Sequence, residues 1–119
     1  MYSARLLDHF ANPRNAGELA CPDLSAECEN PVCGDVLRFT LKVADGRIAE
    51  ICFLAKGCVA TMACASALTE LVHQREIDAA RRLRPQDLAS AVGGLPKTSL
   101  HASHLAIATL AAALAGFRG

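Results

Sequence analysis

The stretch Leu37-Arg38-Phe39-Thr40-Leu41-Lys42-Val43-Ala44-Asp45-Gly46-Arg47-Ile48-Ala49-Glu50-Ile51-Cys52-Phe53-Leu54-Ala55-Lys56-Gly57-Cys58 decides the fold. Leu37, Phe39, Leu41 and Val43 alternate with Arg38, Thr40 and Lys42, the period of a strand with one buried face. Asp45-Gly46 is a hairpin turn pair, and Ile48 to Ala55 returns as a second strand. Ile51, Phe53 and Ala55 share one face of it, whereas Ile48 falls on the other. A bulge near Ala49 reconciles them. After Lys56-Gly57 the pattern changes to helix.

Working outward from the hairpin, Leu24, Ala26 and Cys28 alternate with Ser25, Glu27 and Glu29 as a weaker strand. Before it, Ser3 caps a short helix with Leu6, Leu7 and Phe10 on its apolar face, stopped at Asn12-Pro13. Downstream, Val59 to His73 reads as a helix. Its small members Ala60, Ala63, Ser66 and Ala67 suit close approach to a neighbour. A short helix over Ile77 to Leu83 and another from Pro85 through Val92, ended by Gly93-Gly94, follow. Leu100, Ile107, Leu110, Leu114 and Phe117 then mark a last helix over roughly 99–117. Strands first and helices after is an α+β order: a three-stranded antiparallel sheet with helices packed on one face.

With 119 residues, 52% of them hydrophobic, the chain is long enough for one core and reads as a single domain over residues 1–119. Acidic and basic residues balance at 12 each, which gives no footprint for nucleic acid or an anionic membrane. Few aromatics argue against base stacking. The apolar run from Leu105 to Phe117 is shorter than the ~20 residues that span a bilayer. The N-terminus has no signal-peptide core. Six cysteines lie partly inside strand-like and helix-like runs rather than in a loop-rich disulfide framework, so a reducing, cytoplasmic location is expected.

Three segments place ligand-type side chains at element ends, where ligands are usually presented. Asn30-Pro31-Val32-Cys33-Gly34-Asp35 makes a turn just before the first hairpin strand. Cys58 sits where the second hairpin strand gives way to a helix; the helix dipole and Lys56 favour a thiolate there. His101 lies in the first turn of the last helix. An antiparallel hairpin returns Cys58 to the sheet end where Cys33 began, but the pattern does not bring His101 there. By spacing alone, Cys33 and Cys58 read equally well as small core residues and Asp35 as a turn carboxylate. Cys52 and Cys64 read as core, His9 as a helix-surface or packing residue, and Cys21 and Cys28 as loop or strand residues.

These motifs resemble those of the U-type iron–sulfur cluster scaffolds: IscU, SufU and the N-terminal domain of NifU. Tyr2-Ser3 through Asp8-His9-Phe10 and Asn12-Pro13-Arg14-Asn15 look like the family's opening. Asn30 to Asp35 resembles the first cluster motif, and Lys56-Gly57-Cys58 with Ala63, Ala65-Ser66 and Leu68-Thr69-Glu70 the second. Gly94-Leu95-Pro96 with Leu100-His101 resembles the approach to the third. The resemblance implies a SufE/NifU-like fold and a non-enzymatic scaffold with no catalytic residues. On it a [2Fe–2S] cluster is built from iron and sulfur supplied by a cysteine desulfurase, then passed to acceptor proteins, with zinc replacing the cluster in apo forms. Carried over, Cys33 and Cys58 are thiolate ligands, Asp35 a labile oxygen ligand or modulator, and His101 a nitrogen ligand. Two departures stand out. Ala102 replaces the family's third cysteine, and an alanine can neither ligate metal nor carry a persulfide. Ser99 stands where IscU has a lysine, which argues against recruiting the Hsp70-type chaperone. Cys33, Asp35, Cys58 and His101 still suffice for a tetrahedral zinc or mononuclear iron site, with His104, one turn beyond His101, as a substitute ligand and otherwise a solvated histidine. The rival reading is a degenerate homologue kept as a protein-interaction module; a thiol enzyme centred on Cys58 is weaker, lacking a C-x-x-C pair. A homo-oligomer is compatible with the resemblance.

Overall fold

A computed structural model describes residues 2–117. Strands β1 (Leu24–Glu29), β2 (Val36–Ala44) and β3 (Arg47–Lys56) form an antiparallel sheet in the order β1-β2-β3. Asp45 and Gly46 join β2 to β3 with φ of 54° and 72°, the doubly left-handed turn that matches strand twist. Phe39 faces Phe53 across the hairpin, and the register slips where Lys42 pairs with Glu50 but Val43 pairs with Ile48. Ala49 is therefore the extra residue, as the sequence pattern predicts. The slip turns Ile48 into the core, where it is fully buried, and the Ala49 carbonyl accepts the Gln74 side-chain amide at 3.1 Å.

Helix α1 (Ala4–Ala11) is capped by Ser3, whose hydroxyl accepts the Leu6 N–H and donates to the Val92 carbonyl. Helix α2 (Val59–Val72) packs over β3, and α5 (Leu100–Leu114) packs over β1 and β2 and against α2. The short helices α3 (Ile77–Arg81) and α4 (Pro85–Ala91) connect them. Leu37, Phe39, Leu41, Ile51 and Phe53 from the sheet meet Leu68, Val72, Leu110 and Leu114 in one apolar cluster. At about 25 cal/mol per Å² of apolar surface, such burial is the main force holding the layers together.

The last helix is shorter than its apolar spacing implies. A 3-10 turn over Lys97–Ser99 precedes it, and it stops at Leu114. Arg81 takes the carbonyl of Leu114 at 3.0 Å and that of Phe117 at 3.4 Å, a side-chain cap that replaces a further turn of helix. Thr40, on the polar side of its strand's alternation, is also buried, because Leu19 brings its N–H to the Thr40 hydroxyl at 3.1 Å. The Asn15–Gly17 segment reaches this place by pairing with Phe53 at the β3 edge. Among the described residues no helix is long and apolar enough to cross a membrane.

Candidate metal centre

The hairpin's open end places the first two candidate ligands. Val36 pairs with Lys56 at the last rung of the sheet, so Asp35 and Gly57 lie side by side. Gly57 has no Cβ, and one added there would sit 2.5 Å from Asp35 Oδ1. The glycine thus lets the carboxylate lie against the backbone. Cys58 is the residue immediately before α2, with extended backbone, and His101 is in the first turn of α5. Packing of α2 against α5 brings both helix N-termini to this corner, where the positive ends of the helix dipoles favour anionic ligands.

Three of the four residues predicted from the sequence meet. Asp35 Oδ2 lies 3.5 Å from Cys58 Sγ and 3.4 Å from His101 Nε2, and Cys58 Sγ lies 3.7 Å from His101 Nε2. Asp35 is only 4% exposed. Burial raises its carboxyl pKa, but hydrogen bonds from Thr61, from the Cys58 thiol and from the Cys58 N–H, with the nearby His101, outweigh burial and hold it below the usual carboxylate range. A zinc or iron ion bonded at about 2.0–2.3 Å in a tetrahedron holds its ligand atoms roughly 3.3–3.8 Å apart. The three separations fall within that span, so one oxygen, one sulfur and one nitrogen already outline a face of such a polyhedron.

Cys33 stands outside this group. It is exposed on the turn before Asp35, where the Asn30 side chain accepts the N–H groups of Val32 and Cys33 at 3.0 and 3.4 Å. Gly34, with φ of 74°, turns the chain into Asp35. The expected four-residue grouping is thus met by three, because the turn is closed on its own backbone. His104 is exposed and likewise outside the cluster. Ala102 is fully buried among core residues. Cys64 is buried in α2, where burial pushes its thiol up to about 12, which is the inert core role that its mid-helix position predicts.

Thr61 is the neighbour of the cluster that the sequence pattern does not single out. Its buried hydroxyl donates to Asp35 Oδ2 at 2.7 Å and lies 3.3 Å from Cys58 Sγ. The available signal was its spacing: three residues beyond a helix-capping cysteine places it on the same face of the first turn. His9 proves to be a packing residue. Its Nδ1 lies 2.8 Å from the Ser66 hydroxyl, which also accepts the Arg14 N–H at 2.8 Å. Asn15 donates to the Thr69 hydroxyl at 3.0 Å, so the Asn12–Asn15 turn is latched onto α2.

Helices on one face of a three-stranded sheet, with oxygen, sulfur and nitrogen donors converging at one sheet end, define a small α+β domain whose donor geometry fits a metal ion. The chain belongs to the NifU-like N-terminal domain family, whose model matches residues 1–119. It is 40% identical over 117 residues to the iron–sulfur cluster assembly scaffold protein IscU 1 of Archaeoglobus fulgidus, covering 98% of this chain and 76% of that one. With the IscU scaffold protein of Aquifex aeolicus it shares 38% over 115 residues, covering 95% and 73%. The crystal structure of a NifU-like N-terminal protein from Brucella abortus has the same fold, with a TM-score of 0.76 at 20% identity over 96% of this chain and 92% of that one.

Proposed function

We propose that this protein is a non-enzymatic iron–sulfur cluster scaffold or carrier that holds iron or a [2Fe–2S] cluster as cargo on Asp35, Cys58 and His101. The observation that carries this reading is the set of separations of 3.4, 3.5 and 3.7 Å among three different ligand atoms, joined to membership of a family whose relatives are named scaffold proteins. Cys33 supplies the next ligand when the exposed turn at Gly34 closes over the site. Cys58 ligates as thiolate, so its proton leaves as the metal enters.

With alanine at position 102, the site offers two thiolates at most. That donor set suits one zinc or iron ion as well as a cluster. Zinc is the expected occupant of the cluster-free protein, and a cysteine desulfurase and cluster-accepting proteins are the expected partners in a cytoplasmic setting. Anaerobic reconstitution with ferrous iron and sulfide tests the reading. Visible charge-transfer absorption, or metal retained through gel filtration, supports it. A colourless protein free of iron and zinc overturns it and leaves an interaction module.

A further inference from the structure

We propose that Thr61 is a positioning residue of this centre, fixing the Asp35 carboxylate in its ligating orientation without being a ligand itself. The proposal rests on reading the Asp35, Cys58 and His101 cluster as a metal site. Its first support is distance. Thr61 Oγ1 stands 2.7 Å from Asp35 Oδ2, the length of a charge-assisted O–H···O⁻ hydrogen bond. That is shorter than the roughly 3.3–3.8 Å between two ligands of one tetrahedral ion, so Thr61 stands beside the carboxylate rather than at a vertex.

Where the hydroxyl is directed is the second support. Helical threonines commonly return their hydroxyl to a carbonyl in the preceding turn. Thr109 does so toward Leu105 at 2.7 Å and Thr69 toward Ser66 at 2.7 Å. Thr61, in the first turn of α2 and fully buried, donates instead to a side chain from another element.

The third is its fit with Gly57. One carboxylate oxygen, Oδ1, occupies the space that a Cβ at residue 57 would take, 2.5 Å away, while the other, Oδ2, receives the Thr61 hydroxyl. The missing Cβ leaves room for Oδ1, and the Thr61 hydroxyl fixes Oδ2. Oδ2 keeps a further lone pair for the corner it shares with Cys58 Sγ and His101 Nε2.

The test uses the metal-free protein titrated anaerobically with Co²⁺, whose d–d bands report coordination geometry, and with Zn²⁺ against a chromophoric chelator. Thr61→Val keeps the shape and removes the hydroxyl. It is expected to weaken zinc binding by about 10–100-fold, the usual effect of losing an outer-shell partner, and to alter the cobalt bands. Thr61→Ser is expected to restore both. On an Asp35→Asn background, Thr61→Val is expected to add nothing, because it acts through that carboxylate. Parent-like zinc affinity and cobalt bands in Thr61→Val, an equal loss on the Asp35→Asn background, or no rescue by serine each overturn the proposal. Circular dichroism checks folding, and Thr61→Ala, which favours helix, serves if the valine variant does not fold. If the parent binds neither ion, the metal-site reading itself fails. If the parent binds and Thr61→Val is unaffected, only the role of Thr61 fails.

Discussion

Two histidine-centred polar clusters sit on α2, and they are built on opposite plans. In the latch on its outer side, His9 and the Arg14 N–H converge on the Ser66 hydroxyl, Thr69 donates to the Ser66 carbonyl at 2.7 Å, and His9 Nε2 faces Glu70 at 3.5 Å. Donors meet acceptors there, and the result is two elements tied together. At the N-terminus of the helix, Asp35, Cys58 and His101 turn ligand atoms toward one another. The Cys58 thiol donates to Asp35 Oδ2 there, and once that proton leaves, all three present lone pairs to one point, the arrangement that suits a cation. The latch is complete with its own donors and acceptors, whereas the convergent atoms at the helix N-terminus are those of the proposed metal site.

Mutation at each cluster breaks the comparison in a different observable. The largest effect is expected from Cys58→Ala or His101→Ala. Each removes a proposed ligand and lowers zinc affinity by more than about 100-fold, beyond the range for outer-shell partners, in a chelator competition, while the metal-free melting temperature barely moves. Gly57→Ala comes next. Its Cβ would meet the Asp35 carboxyl, so metal binding falls and overpacking costs about 1–3 kcal/mol by urea denaturation. Ser66→Ala reverses the pattern. It leaves two partly buried partners without their hydroxyl, costs about 1–3 kcal/mol, and leaves zinc affinity unchanged. A serine variant that lost metal without losing stability would dissolve the distinction.

The smallest effect is a pH dependence from the latch. Burial first, and Arg14 second, hold His9 below its ordinary value, against the opposing pull of Glu70 and Asp8. As pH falls through about 6.5 the unfolded chain takes up this proton before the folded one does. The stability that neutral His9 contributes is therefore full above that pH and is lost progressively below it. Urea midpoints between pH 7.5 and 5 are expected to fall less in His9→Gln than in the parent.

Much of this was legible in the chain. The hairpin, the Asp45-Gly46 turn and the bulge at Ala49 follow from residues that touch their neighbours in sequence. The places of Asp35, Cys58 and His101 at element ends were also readable, as was the burial of Cys64 inside an Ala-rich helix. The hub role of Ser66 was not, because a small residue on a helix face reads only as room for a neighbour until that neighbour supplies donors. Nor was the burial of Thr40, which depends on Leu19 reaching across the sheet.

By itself the sequence determined periodicity, turns, helix starts and the kinds of donor atom available, since these depend on backbone preferences and hydrophobic alternation over a few residues. Only the tertiary structure decided that α5 lies beside α2 and brings His101 to within 3.7 Å of Cys58, that Thr61 turns to Asp35, and that Cys33 stays out on its turn. Those outcomes come from apolar packing of helices on a sheet, which is non-directional and cooperative. A side chain 43 positions away along the chain enters the site through the way the core closes, which no local pattern encodes.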